Sequence, residues 1–294
     1  MNVRLIDPLV VCTLEGTRVP WLPHFVRHYQ AQGIERFHLT VQCEDGKRRS
    51  GEAARRRALG LVRPLGVEHV DLLERDYDAM ALREHHDRVQ KESGATWFVW
   101  ADIDEFQVYP QSVPAMIAGW VREGALACSG FFVDRVTRSG ELVDFDHAEP
   151  IWGQFPVGAT VTRDVVAGQV NKVVCSHVSV RVQHGNHDPA RDQKIRWAGR
   201  RVPVFHFKWD RTVVRRLRVR LTENWKARCH WWTQTARLLE TLKANGGRLP
   251  LPTLTTFDFR DDAFAGQAHP YRLNRRYREW EGRGEGKFRG RNHG

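Results

Sequence analysis

"WFVWADIDEFQVYP" (97–110) sets a run of large apolar residues directly before three carboxylates, Asp102, Asp104 and Glu105. A short continuous apolar run, rich in aromatic side chains, reads as a strand buried on both faces. Such strands belong to sheets covered by helices on both sides, which bind ligands beyond the carboxyl ends of their strands. On an extended backbone Asp102 and Asp104, one residue apart, point the same way. Two like charges at a buried strand end repel and lose hydration unless a cation stands between them. A divalent ion meets that need, because Mg²⁺ or Mn²⁺ favours carboxylate oxygens and completes its shell with water and substrate phosphates.

Working outward, the first half alternates strand and helix signals. "PLVVCT" (8–13), "RFHLTVQC" (36–43), "VEHVDLL" (67–73) and "WFVWAD" (97–102) read as strands. Between them, "VPWLPHFVRHYQAQG" (19–33) places Leu22, Phe25, Val26 and Tyr29 on one helical face. "EAARRRALGLV" (52–62) and "DAMALREHHDRVQKES" (78–93) are the next helices. The "EHHD" within the last lacks the spacing of a zinc protease and reads as a solvated face. This alternation predicts an α/β fold with a doubly wound, mainly parallel sheet of Rossmann-related type. Beyond residue 110 come a helix at 112–123, strands at 130–136 and 202–209, and a mixed stretch over 139–201. Val214, Leu217, Leu221 and Trp225 then follow helical spacing in a basic amphipathic helix. The expected division is a nucleotide-binding half to about residue 125, a mixed half over 126–281 on the same sheet, and a disordered Gly/Arg-rich tail at 282–294.

The 294 residues carry 41% hydrophobic and 28% charged side chains, an ordinary globular balance. No apolar run approaches the roughly 20 residues that span a membrane. Five cysteines without CxxC spacing argue against a disulfide framework or a zinc site. With no signal-peptide pattern at the start, the expectation is a cytoplasmic protein. The net charge of +11, concentrated at 211–221 and 272–294, calls for an anionic partner. Nucleic acid, an anionic membrane face and a phosphorylated small substrate all meet that description.

"ADIDEF" after an aromatic strand resembles the DxD motif of GT-A-fold glycosyltransferases, most nearly the family 2-like group with its "DxDEF". "CTLEGTRVPWLPHFVRHYQAQGIERF" resembles that group's opening, and "NKVV" (171–174), "HGNHD" (184–188) and "HFKWD" (206–210) resemble later segments in the same order. The resemblance covers residues 8 to 225. It implies a GT-A-like fold and transfer of a sugar from a nucleotide-sugar donor to a glycan, lipid-linked or small-molecule acceptor. Asp102 and Asp104 would hold Mn²⁺ or Mg²⁺ on the donor diphosphate, Asp104 more directly. Thr13 and Glu15, with Glu44 or Asp45, would line the nucleoside pocket. Leu14 stands where the group usually has Asn, and "CEDGKRRS" replaces its small-polar turn, so the base and ribose contacts depart from the pattern.

GT-A enzymes often add a late histidine to the metal. His187 fits this role, flanked by Asn186 and Asp188, which can orient it. Lys208 alternates with Phe207 and Trp209 and can neutralise a leaving diphosphate. Arg83, early in its helix, is placed to meet the nucleotide or its pyrophosphate. An inverting transfer needs a carboxylate base, Asp188 first and Glu149 second. Three other readings compete. A nucleic-acid-binding protein fits the charge, but the chain has no recognisable zinc-finger or RNP-like module. A nucleotidyltransferase wants a glycine-rich basic loop after the first strand, and "TLEGTRVP" matches it poorly. A catalytically dead, ligand-binding relative is the third.

Overall fold

The computed structural model describes residues 6–222 and 231–258. Trp225, Cys229 and the basic tail at 282–294 lie outside the described residues, and so does the charge cluster at 272–294.

The parallel half follows the sequence closely. Strands β1 (Leu9–Glu15), β2 (Arg36–Cys43), β3 (Asp71–Glu74) and β4 (Trp97–Trp100) lie in the order β3-β2-β1-β4, all parallel. Helices cover both faces because β1 alternates between two cores. Val10, Cys12 and Leu14 face the core that also takes Phe25 and Val26 of α1 (Leu22–Ala31), Ala58 and Val62 of α2 (Arg48–Val62), and Ile117 of α4 (Val113–Glu123). Leu9 and Val11 face the opposite core, with Val89 of α3 (Ala79–Glu92) and Phe98 and Trp100 of β4. The four apolar residues predicted for one face of α1 are all fully buried. Asp78 caps α3 by accepting from the backbone N–H groups of Met80 and Ala81.

Two local readings are corrected. The "EHHD" segment is not a solvated face. His85 is buried and its Nε2 meets Thr40 Oγ1 at 2.9 Å, while His86 lies over Trp100 with ring centroids 5.6 Å apart. Burial holds both imidazoles down at about 4, so they pack as neutral rings. Helix α2 starts at Arg48 rather than residue 52. Gly51 lets its first turn press on the sheet, since a Cβ there would lie 2.5 Å from Cys43 Sγ and 2.9 Å from Leu72 Cδ1.

The second half continues the same sheet with mixed pairing. β8 (Asn171–His177) runs antiparallel to β4, and β6 (Ala127–Val136) antiparallel to β8. β7 (Val157–Ala159) and β10 (Thr256–Asp258) follow, both antiparallel to their neighbours. β9 (Val202–His206) pairs parallel with β6 and antiparallel with β5 (Glu105–Gln107), so "VPVFH" is an interior strand that ends at His206, short of the expected 209. Short helices α5 (Ile151–Gln154) and α6 (Val161–Asp164) lie in the mixed stretch. The basic helix α7 (Thr212–Val219) packs Val213 and Leu217 into a small core with Leu238 and Leu242 of α8 (Trp232–Ala244). Among the described residues, no helix is long and apolar enough to cross a membrane.

Gly130 lies opposite Lys172 on β8 and Val202 on β9. A Cβ there would sit 2.4 Å from Val174 Cγ1 and 2.7 Å from the Val202 carbonyl. Gly130→Ala is therefore expected to destabilise the fold by about 1–3 kcal/mol through overpacking. A urea-unfolding midpoint unchanged in the variant would refute this packing account.

Candidate functional site

The chain leaves β4 at Trp100, and the Glu105 N–H closes a turn onto the Asp102 carbonyl at 2.9 Å. Asp102 and Asp104 therefore stand on a turn, not on extended backbone, and their side chains diverge. Asp102 keeps 50% of its side chain exposed, whereas Glu105, opening β5, keeps 2%. The cation required between the carboxylates is present, and the chain supplies it twice.

The first cation is Lys172, on β8, whose side chain is 1% exposed. Its Nζ lies 2.8 Å from Glu105 Oε1 and 3.3 Å from Asp102 Oδ2, and it donates to the Gly185 carbonyl at 2.8 Å. Burial opposes its charge, but Asp102 and Glu105 outweigh burial and hold the ammonium above the ordinary lysine value. Against the raising effect of burial, Lys172 also holds Asp102 below its ordinary value. The second cation is Arg18, in the 3-10 turn Gly16–Trp21 that follows β1. Its Nη1 donates to Asp210 Oδ2 at 2.9 Å, its Nη2 lies 3.5 Å from Asp104 Oδ2, and its guanidinium covers the Trp21 ring. Burial would raise the Asp104 carboxyl, yet His206, Arg18, Arg216 and Lys208 together hold it well below the carboxylate range.

His206, at the end of β9, is stacked 4.4 Å from Phe132, and its Nδ1 lies 2.9 Å from Asp134 Oδ1. Asp134 is fully engaged: it also accepts from Trp209 Nε1, Thr162 Oγ1 and the Thr162 N–H. His187 lies beside Lys172 and Asp102, and burial followed by Lys172 holds its imidazole down at about 4. Its Nδ1 is 2.6 Å from the Asn171 carbonyl, so the neutral ring donates there and leaves Nε2 as an acceptor.

A cavity of about 780 Å³ opens at the carboxyl ends of β1, β2 and β3. Glu15, Gln42 and Glu44 line it from the strand ends, Lys47 and Ser50 from the start of α2, and Arg75, Asp76 and Tyr77 from the loop after β3. Val219 and Thr222 border it from the end of α7. Arg216 lies 3.6 Å from Asp210, which also holds Arg18 against Asp104, and the Glu15 charge on the cavity wall acts on it as well.

The structure thus gathers Asp102, Asp104, His187 and Lys208 around one turn and places Glu15 and Glu44 on the cavity wall. Other candidates are turned elsewhere. Thr13 Oγ1 meets His86 Nε2 at 3.3 Å, and Asp45 is exposed, with its N–H donating to Asp76 Oδ1. Arg83 pairs with Asp87 on its own helix at 3.7 Å. Asp188 is exposed and accepts from Gln169, and Glu149 is exposed on a loop whose carbonyl accepts from Gln154. Sequence reasoning missed Arg18, Lys172 and the Arg75–Tyr77 loop. The loop was within reach, because the rule that points to residues after β1, β2 and β4 applies equally after β3. Lys172 and Arg18 had no such signal, since their partners lie 70 and 192 residues away.

Among the described residues, no three histidine, cysteine or carboxylate groups gather closely enough to enclose a metal ion. The donor set is open instead. Asp102 presents a half-exposed carboxylate, and His187 presents Nε2 with its other nitrogen already bonded. An ion held by these two groups would need substrate oxygens and water for the rest of its shell.

No family model and no curated protein matches the chain. Solved structures similar to it include CMP:2-keto-3-deoxy-manno-octonic acid synthetase complexed with CTP, at 14% identity over 45% of this chain and 54% of that one, with a TM-score of 0.29. HddC from Yersinia pseudotuberculosis is 16% identical over 48% of this chain and 65% of that one, with a TM-score of 0.27. UDP-glucose pyrophosphorylase complexed with UDP-glucose is 13% identical over 52% of this chain and 66% of that one, with a TM-score of 0.26. The chain thus spans about half to two thirds of these proteins. Likeness at this level carries no argument about activity, and the α/β class rests on the strand order itself.

Lys172→Met leaves Glu105 and Asp102 without their ammonium and is expected to cost about 3–5 kcal/mol. The paired Lys172→Met/Glu105→Gln change should recover part of that loss in denaturant melts. Asp104, with its folded value depressed, contributes stability that is present above the ordinary carboxylate range and is lost as pH falls below that range through the depressed folded value. The acid limb of a stability–pH curve should therefore be shallower in Asp104→Asn than in the wild type.

Proposed function

We propose that the protein is a metal-dependent glycosyltransferase that moves a sugar from a nucleotide-sugar donor to an acceptor hydroxyl. The observation that carries this reading is the cavity at the ends of three parallel strands, linked through Arg216, Asp210 and Arg18 to the turn bearing Asp102 and Asp104. The nucleoside enters the cavity between Glu15, Glu44 and the Arg75–Tyr77 loop, and its diphosphate extends towards the turn. Asp102 and His187 are the side chains that would hold Mn²⁺ or Mg²⁺, with Asp104 facing the same space from among its cationic partners. A divalent ion bound there would screen charge on the departing nucleoside diphosphate.

The residues of the chain divide the remaining work. Lys172 fixes Asp102 and, through Gly185, the loop that carries His187. The Asn171 carbonyl sets the His187 tautomer. Lys208 adds positive charge near Asp104. Of the two sequence candidates for the carboxylate base of an inverting transfer, Asp188 keeps its place beside His187, whereas Glu149 is held out on an exposed loop. The acceptor class is a glycan, a lipid-linked sugar or a small metabolite.

Calorimetric titration of UDP and GDP, with and without Mn²⁺, tests the reading on the wild type and on Asp102→Ala. One nucleotide should bind more tightly with Mn²⁺ than without it, and Asp102→Ala should remove that gain, weakening binding in Mn²⁺ at least roughly tenfold, the loss of one charged ligand. Failure of both nucleotides to bind under either condition would sink the transferase reading. Tight, salt-sensitive DNA or RNA binding in the same preparation would favour the nucleic-acid alternative.

A further inference from the structure

Arg18 has a side chain only 5% exposed, yet it is under-bonded. Among the described residues its Nε and Nη2 find no hydrogen-bond acceptor, Asp104 standing 3.5 Å away from Nη2. Arg216, on α7, has its Nε in the same condition, while its Nη2 donates to the Lys208 carbonyl at 3.2 Å and lies 3.6 Å from Asp210 Oδ1. Lys208 is close to Arg216 and Asp104, with its Nζ 5.5 Å from the centre of the Trp209 ring, and no carboxylate forms an ion pair with it among the described residues. Buried donors without acceptors are rare in native proteins, and each marks either strain or a missing partner.

Arg18, Lys208 and Arg216 share Asp104 and Asp210, while Glu15 acts on Arg216 and Arg220 on Lys208, and Asp134 is already used by its own donors. The partner that answers guanidinium N–H groups and an ammonium together is a phosphoryl oxygen, which guanidinium recognises in a fork and ammonium as a point charge. Burial and Arg220 hold Lys208 down at about 8, and burial and Arg18 hold Arg216 down at about 10, the direction that burial and neighbouring cations impose.

We propose that Arg18, Lys208 and Arg216 form a phosphate site that grips the diphosphate of the donor directly, side chain to phosphoryl oxygen, without needing a divalent ion. The assignment to the donor rests on the nucleotide-sugar reading. The site itself rests on the unbonded guanidinium donors. A phosphorylated acceptor offers the same chemistry, so the test separates the two sources.

The test is calorimetry on the full chain in EDTA, with pyrophosphate, UDP, GDP, uridine and guanosine as probes. The proteins are wild type, Arg216→Gln, Lys208→Met and Lys243→Gln, the last removing a charge from the exposed end of α8. Arg18 is left intact, because its bond to Asp210 is part of the fold, and thermal melts verify that each variant is folded. Wild type should bind pyrophosphate and one nucleoside diphosphate without metal. Arg216→Gln and Lys208→Met should each weaken both by roughly tenfold, as for loss of a charge-assisted hydrogen bond, with nucleoside binding and Lys243→Gln unchanged.

Equal binding by all four proteins would overturn the proposal, as would no pyrophosphate binding by the wild type. Pyrophosphate binding that the two variants weaken, with no nucleotide bound under any condition, would keep the phosphate site and overturn the donor reading. Pyrophosphate that still binds a nucleotide-saturated protein, and is lost in Arg216→Gln, would move the site from donor to acceptor and overturn the assignment made here.

Discussion

Lys172 sits at the junction on which the site depends. Its ammonium is almost fully buried, bonded to Glu105, Asp102 and the Gly185 carbonyl, and so connects β8, the turn after β4, the start of β5 and the loop holding His187. A buried ion pair of this kind contributes little net stability compared with a well-packed apolar substitute. It does fix geometry, because each bond has a direction that an apolar contact lacks. Gly130, opposite Lys172 on β6, leaves the room that lets β8 and β9 both lie close to that strand. The packing of one glycine and the charge of one lysine are thus parts of the same arrangement.

Around this junction the chain separates charges that its sequence places side by side. Asp102, Asp104 and Glu105 are near neighbours, yet each meets a different environment: half-open water, a group of basic side chains, and a buried ammonium. The separation follows from the turn at 102–105, which points consecutive carboxylates in different directions. Three identical charges can therefore hold three different protonation and binding properties within one short segment.

Much of the fold was legible because it is local. Alternating strands and helices, the buried face of α1 and the limits of β2 follow from periodicity that any window of a dozen residues contains. The carboxyl-end rule located Glu15, Glu44 and the 102–105 turn without any knowledge of contacts. What stayed hidden was either long-range or chemically ambiguous. The carboxylates ask for a cation, and Lys172 and Arg18, which bring positive charge to them, lie too far along the chain for the sequence to single them out. The histidines of "EHHD" look polar in a sequence, but His85 packs under Thr40 because a neutral imidazole with a bonded nitrogen is a tolerable core residue. Thr13, Arg83 and Glu149 carry suitable chemistry at suitable positions, and only side-chain direction decided that they turn elsewhere.

The mixed pairing of the second half affects when the site can exist during folding. β6 holds β8, β9 and β7 together, and each arrives later in the chain than β6 itself. Arg18 waits for Asp210, which follows it by 192 residues, and Asp102 waits for Lys172. The parallel half can consolidate around its own short-range contacts, but loops this long must close before the charges find their partners. Local opening of the mixed half would accordingly dissolve the charge arrangement while β1, β2 and β3 remain paired. The strand ends that wall the cavity can thus pair before the charges beside it find their partners.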